Sequence, residues 1–200
     1  ILSRNPSLHP GDIRVVRAVN APPLAHLQDV VVFRQTGDRD IPSMCSGGDL
    51  DGDDFLVIWD PDLIPDDWFT TPMKYTSNKA RDLDHDVTVD EITSFFVTYM
   101  KNDCLPRIAH AHLAWADRLE DGVREEKCKR LAQLHSDAVD YNKTGNPAVM
   151  TRSLTPRMWP HFMEKKGKLP SQIYKSGKIL GQLYDAVERI DFVPSLEMPF

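Results

Sequence analysis

The chain has no long hydrophobic run. Its longest aliphatic stretch is Val30-Val31-Val32, with Phe33 after it, far short of the ~20 apolar residues a membrane helix needs. A membrane protein is therefore not expected. Cysteine is scarce: Cys45, Cys104 and Cys128 are widely spaced, odd in number and lack a Cys-x-x-Cys pair. Such a set argues against a disulfide framework and points to a reducing intracellular compartment, cytoplasm or nucleus. A zinc site built from Cys104, His110, His112 and Cys128 is disfavoured too, because His110 and His112 diverge on a helix. The chain has neither a Gly-x-x-x-x-Gly-Lys-Ser/Thr phosphate loop nor the Gly-x-Ser-x-Gly of a hydrolase nucleophile. An initiator Met and an apolar leader are missing from Ile1-Leu2-Ser3-Arg4-Asn5-Pro6, an opening that reads as the interior of a longer, non-secreted polypeptide. No internal repeat is present.

What remains is an ordinary globular composition. The 200 residues are 41% hydrophobic and 27% charged, enough for one large domain or two small ones with a real core. The net charge of −6 is unevenly spread. The first hundred residues are strongly acidic and the second hundred mildly basic. Residues 143–178 hold eight Lys and Arg (Lys143, Arg152, Arg157, Lys165, Lys166, Lys168, Lys175, Lys178) against the single acid Glu164. This polarity suits a cation site in front and a polyanion behind.

Three short β-branched stretches, Ile13–Val19, Asp29–Gln35 and Asp54–Trp59, are bounded by turn formers and predict strands of a small barrel. Residues 60–88 are rich in Pro and Asp and show no period. Helical spacing follows: Ile92, Phe95, Phe96, Tyr99 and Met100 predict a helix over Val89–Asn102, with Asp90 and Glu91 in its first turn. Further helices are expected from near Pro106 to Leu119, over Arg124–Val139, and from an N-cap at Ser171 to about Ile190. The implied domains are 1–65 (barrel material with the acidic loop), 66–88 (linker or irregular) and 89–200 (helical, with the basic segment 143–178).

The most informative stretch is Cys45-Ser46-Gly47-Gly48-Asp49-Leu50-Asp51-Gly52-Asp53-Asp54-Phe55. Carboxylates at i, i+2 and i+4 share one face of an extended chain, and Gly52 lets the backbone curl so that Asp49, Asp51 and Asp53 converge. Three converging negative charges repel unless a cation sits among them, and hard oxygen donors select Mg²⁺ or Ca²⁺. A calcium EF-hand does not fit. Its sixth position is Asp54 instead of Gly, its twelfth is Asp60 instead of Glu, and strands rather than helices are expected to flank it. Asp54 is expected to point the opposite way and is not counted as a ligand.

Asp49-Leu50-Asp51-Gly52-Asp53 resembles the Asp-x-Asp-Gly-Asp signature of the cellular RNA-dependent RNA polymerases of RNA silencing. A related form marks the largest subunit of multi-subunit DNA-dependent RNA polymerases. Arg4-Asn5-Pro6-Ser7-Leu8-His9-Pro10-Gly11-Asp12-Ile13-Arg14 is similar to the silencing-family segment before that loop. Leu134–Asp140 with Lys143-Thr144-Gly145, and Tyr174–Gly181, resemble two later blocks. The resemblance implies an α+β chain: part of a double-psi β-barrel carrying the Asp-x-Asp-Gly-Asp loop, followed by a mainly helical region.

It also implies templated nucleotidyl transfer on single-stranded RNA by a two-metal mechanism, with Mg²⁺ (or Mn²⁺ in its place) held by the catalytic Asp49, Asp51 and Asp53. Template, product RNA and NTPs are the implied partners, together with a companion catalytic barrel, so this segment alone is expected to be incomplete and inactive. Gly47 stands where the multi-subunit enzymes have Asn, which removes any nucleotide contact of that side chain. By the same likeness Arg4 is a candidate contact to the nucleotide ribose, the alternative being an ordinary surface arginine. Lys143 is a candidate phosphate contact, and His9 and Arg14 are candidates for ordering their segment. Two other readings stand beside the polymerase: a non-catalytic metal- or RNA-binding module on the same scaffold, and a piece of a multi-subunit enzyme.

Overall fold

Helical order follows the apolar spacing of the second half of the chain. The computed structural model describes residues 1–190 apart from Asp67, Ser77 and Arg81. After a short helix α1 (Ile41–Met44), α2 (Val89–Asn102) starts as a capping box. The Thr88 hydroxyl accepts from the Glu91 N–H while the Glu91 carboxylate accepts from the Thr88 N–H, so two otherwise unpaired donors are satisfied reciprocally. In α3 (Leu105–Arg118) Pro106 occupies the first turn, where a missing N–H costs no hydrogen bond. Helix α4 (Glu126–Val139) packs on α3. Between them Ile108, Ala111 and Leu131 are fully enclosed, with Cys104 and Leu154 closing the cluster. Burying Ile108 and Leu131 stabilises the fold by about 1.5–3 kcal/mol each.

The front of the chain holds fewer strands than its β-branched runs predict. Strand β1 (Leu2–Arg4) runs antiparallel to β2 (Phe55–Val57), with Leu2 opposite Val57 and Arg4 opposite Phe55. Of the expected strand Ile13–Val19 only Arg14 pairs, in a bridge to Leu2, and Val19 is 84% exposed. Asp29–Gln35 forms no strand, and Val30 and Val32 lie open to solvent. A strand needs a partner along its N–H and C=O row, and among the described residues the first run has one only at Arg14 and the second has none. Asp54–Trp59 shortens to β2, with Ile58 beyond it still exchanging backbone hydrogen bonds with Ile1. A second pair, β3 (Trp159–Pro160) and β4 (Ile173–Tyr174), is parallel. Among the described residues the sheets are these two pairs, and no closed barrel is formed.

The last helix also departs from expectation. Ser171 lies in a 3₁₀ turn, Pro170–Gln172, and α6 (Ile179–Glu188) begins only after Lys178. Pairing of Ile173–Tyr174 with β3 holds the intervening chain extended, so the helix cannot start earlier. The expected helical region 89–200 runs past Ile190 to residues outside those described. Lys143, read as a loop residue, sits on the short helix α5 (Tyr141–Thr144), which ends at Gly145 with φ 72°. Among the described residues no helix is long and apolar enough to cross a membrane.

Residues 70–76 have no regular structure, yet they are tied down at both ends. Arg14 donates to the Thr70 carbonyl at 2.8 Å and Arg39 to the Met73 carbonyl at 3.0 Å. Gln133 of α4 clasps Thr76 through two hydrogen bonds, donating to its carbonyl at 3.0 Å and accepting from its N–H at 3.2 Å. Gly11 lies so close to this strap that a Cβ there would stand 2.3 Å from the Thr71 carbonyl oxygen.

Candidate metal centre and cleft

The three aspartates do converge. Asp49, Asp51 and Asp53 each offer a carboxylate oxygen, and these oxygens lie within 4.8 Å of one another. Asp54 is exposed and outside the group. The turn that brings them together starts at Ser46 and Gly47, whose φ values are 56° and 66°, a left-handed conformation that glycine adopts at no steric cost. Gly47 also lies against the Tyr75 ring, which a Cβ would meet at 3.3 Å. At the far end Gly52, with φ 119°, lets the chain reverse into β2.

Pairing of β1 with β2 places Arg4 beside this loop. Its Nε lies 2.6 Å from Asp53 Oδ2, and its Nη1 donates to the Ser46 carbonyl at 3.3 Å. The Asp49 N–H also donates to Asp53 Oδ2, at 3.1 Å. Arg4 is thus neither a free surface arginine nor, as placed here, turned toward a ligand: it fixes the orientation of Asp53 and offsets part of the loop's charge. Asp49 and Asp51 titrate as a pair. Hydrogen bonding between their carboxyls, with the Asp51 N–H adding to it, holds Asp49 below the usual carboxylate range and pushes Asp51 above it. The opposite shifts reflect mutual repulsion that a bound cation would also relieve.

A cleft of about 450 Å³ opens beside the loop, lined among others by Arg4, Asp49, Asp51, Tyr75, His135 and Lys143. Lys143 is 67% exposed and only loosely held, 4.0 Å from Asp140 Oδ1. Its charge contributes to lowering Asp49. Burial pushes the His135 imidazole below its ordinary value, disfavouring a charged ring in the cleft wall. The donor set fits a hard divalent cation: all oxygen, converging, and open to solvent at Asp49 and Asp51.

Beneath the loop lies a group that spacing alone does not reveal. Asp12 is fully buried, accepting from the Tyr75 hydroxyl at 2.6 Å and the His9 N–H at 3.0 Å through Oδ2. Its Oδ1 has no partner among the described residues. Burial raises its pKa, and the Tyr75 hydrogen bond is the largest influence pulling it back. His9 and Arg14 order this segment as expected. The His9 imidazole accepts from the Gly11 N–H at 3.0 Å, and Arg14 donates to the Gly11 carbonyl at 3.3 Å. Tyr75 lies in the aperiodic stretch, and only its aromatic type against two glycines could have hinted at the contact.

Other singled-out residues are structural. His112 Nε2 bonds the Leu8 carbonyl at 2.8 Å and Cys104 Sγ bonds the Ala148 carbonyl at 3.0 Å, while all three cysteines are buried free thiols. Part of the basic segment is tied into the fold instead of facing a channel. Lys175 pairs with Asp185 at 3.0 Å, Lys178 caps the end of α3 at the Leu119 carbonyl, and the Tyr174 hydroxyl donates to buried Asp117 at 2.7 Å.

The comparisons agree with the four motif blocks. The model of the RNA dependent RNA polymerase family matches residues 1–187. The chain is 50% identical over 183 residues to "Probable RNA-dependent RNA polymerase 2" of Oryza sativa subsp. japonica, covering 92% of this chain and 16% of that protein. It is 46% identical over 193 residues to "RNA-dependent RNA polymerase 2" of Arabidopsis thaliana, covering 94% and 16%. With "RNA-dependent RNA polymerase 1" of Schizosaccharomyces pombe the identity is 42% over 189 residues, covering 92% and 15%. The chain thus spans about one-sixth of the length of these relatives. The family expected from the aspartate loop and its flanking blocks is the family found: the chain belongs to the RNA-dependent RNA polymerases.

Proposed function

We propose that this chain carries the metal-binding part of the catalytic centre of a silencing-type RNA-dependent RNA polymerase, which makes complementary RNA on a single-stranded RNA template. The observation that carries this reading is the convergence of three carboxylate oxygens within 4.8 Å at the edge of a cleft that Lys143 also lines. Asp49, Asp51 and Asp53 hold the metal, Mg²⁺ by hardness and Mn²⁺ as its substitute. That ion would lower the pKa of an attacking 3′-hydroxyl, and a second ion arriving with the NTP would neutralise charge on the leaving pyrophosphate. Arg4 keeps Asp53 aimed at that point, and a ribose contact by Arg4 requires the ion pair to loosen. Lys143 meets an NTP or RNA phosphate as a mobile point charge. His135, half-buried in the cleft wall, offers a hydrogen bond to a bound nucleotide or strand.

Residues 1–65 supply part of a double-psi β-barrel, 66–88 are the irregular linker, and the helical region begins at residue 89, described as far as Ile190. The remainder of the polypeptide closes the barrel. Supporting this is an open trough of about 830 Å³ lined by Val30, Phe33, Leu50 and Trp59, with Leu50 78% and Trp59 83% exposed. Strand edges and apolar faces of this kind are stable only when covered. Three free thiols suit a reducing compartment, cytoplasm or nucleus.

The test is labelled-NTP incorporation on single-stranded RNA by the intact polypeptide, beside its Asp51→Ala variant, together with Mn²⁺ binding followed by electron paramagnetic resonance. Loss of both incorporation and tight Mn²⁺ binding in the variant supports the reading. Equal incorporation by both proteins sinks the metal assignment. Absence of incorporation by a well-folded parent turns the reading to a binding module.

A further inference from the structure

The one acid of the basic segment, Glu164, is turned away from the lysines around it. It has φ 45° and its carboxylate accepts from the Tyr184 hydroxyl at 2.5 Å. Gly167, with φ 72°, turns the chain again, and the two reversals gather Lys165 and Lys168 over one ring. Lys165 Nζ stands 5.0 Å and Lys168 Nζ 5.7 Å from the centre of Trp159, a side chain only 9% exposed on β3. Lys165 also donates to His110 Nδ1 of α3 at 2.8 Å. Among the described residues no carboxylate pairs with either lysine, whereas Lys129 and Lys175 each have one. Burial, with the Lys168 charge beside it, lowers the proton affinity of Lys165. Two ammonium groups, a ring nitrogen and no counter-charge form a half-built anion site.

We infer that Lys165 and Lys168, gathered over Trp159 beside His110, form a docking point for the phosphodiester backbone of RNA outside the catalytic cleft. The inference rests on the proposed polymerase function, which supplies the polyanion. Its position comes from α3. His112 faces Leu8 in the segment that leads to the cleft, and His110, two residues earlier, is turned about 200° from it. The cluster therefore lies on the face of α3 turned away from Leu8, outside the cleft. Lysine meets phosphate as a point charge without base readout, and the Trp159 face is already covered, leaving no platform for base stacking. The contact adds affinity and no sequence preference.

The test measures binding of a fluorescent single-stranded oligouridylate to the intact polypeptide across a salt series. The proteins compared are the parent, Lys165→Gln/Lys168→Gln, the charge-keeping Lys165→Arg/Lys168→Arg, and the single Lys168→Glu at an exposed position. Each phosphate neutralised contributes about 0.7 to the slope of log affinity against log salt for a single strand. The double Gln variant is expected to lose about 1–1.5 of slope and roughly tenfold in affinity, with Lys168→Glu following it and the Arg pair retaining binding. Unchanged slope and affinity in the Gln and Glu variants, while the parent still incorporates NTPs, overturns the docking point and leaves the polymerase reading standing. A parent that neither binds RNA nor incorporates NTPs overturns both. Poly-glutamate bound as strongly as RNA, and lost in the Gln variant, overturns the assignment to RNA.

Discussion

Removing one hydroxyl tests how the floor of the aspartate loop is held. In Tyr75→Phe the ring stays against Gly47, but the 2.6 Å hydrogen bond to Asp12 disappears. Asp12 is fully buried and already has one unpaired oxygen, so the carboxylate keeps only the His9 N–H. Leaving a buried acceptor short of one charge-assisted bond costs about 1–3 kcal/mol. For a chain of this length that lowers the thermal midpoint by about 3–10 °C. The pH dependence separates this cause from generic loosening. Burial has already raised the pKa of Asp12, and Tyr75 is the largest influence opposing it; without the hydroxyl it rises further. A group whose folded pKa exceeds its unfolded value stabilises the fold below the unfolded pKa and loses that contribution as pH rises through the folded one. The lost bond favours the ionised form of Asp12, so the penalty of Tyr75→Phe is larger at high pH than at low pH and fades toward the ordinary carboxylate range. Paired thermal melts at about pH 7 and pH 4.5 measure it. An equal difference at both pH values, or none at either, refutes the reasoning.

Two further substitutions probe the loop and its support. Gly48→Ala puts a Cβ 2.8 Å from Arg4 Cδ and 3.0 Å from Asp53 Oδ2. It should push the ion pair off the loop and weaken Mn²⁺ binding roughly tenfold, a change of about 1.4 kcal/mol, at little cost in thermal midpoint; unchanged Mn²⁺ affinity contradicts the role given to Arg4. Burial depresses the pKa of His112 to about 4, so the unfolded chain takes up a proton that the folded imidazole refuses. Stability from this group is complete above its unfolded pKa of about 6.5 and declines as pH falls toward 4. His112→Gln should flatten that part of the melting profile, and a profile as steep as the parent's argues against the assignment.

The helices were legible because their cause is local. Ile92, Phe95, Phe96, Tyr99 and Met100 recur at the helical period, and α2 has the predicted bounds, Val89–Asn102. The ends of α3 and α4 fall within two residues of expectation. Strands were less legible because pairing is not local. Val30–Phe33 has the composition of a strand and no partner among the described residues, while Leu2–Arg4 lacks a strand signature and pairs across more than fifty residues with β2.

The aspartate loop is the part of this protein that its sequence determined alone. Carboxylates two residues apart share a face of an extended chain and a glycine lets it curl, so Asp49, Asp51 and Asp53 needed no distant contact to be found. The surroundings of that loop were decided by tertiary structure. Arg4 reaches Asp53 because β1 pairs with β2. Tyr75 lies beneath Gly47 because Arg14, Arg39 and Gln133 pin an aperiodic strap, and Lys143 faces the cleft because α4 packs on α3. Each depends on a contact between segments far apart in the chain, made when hydrogen-bonding groups and apolar faces leave water together.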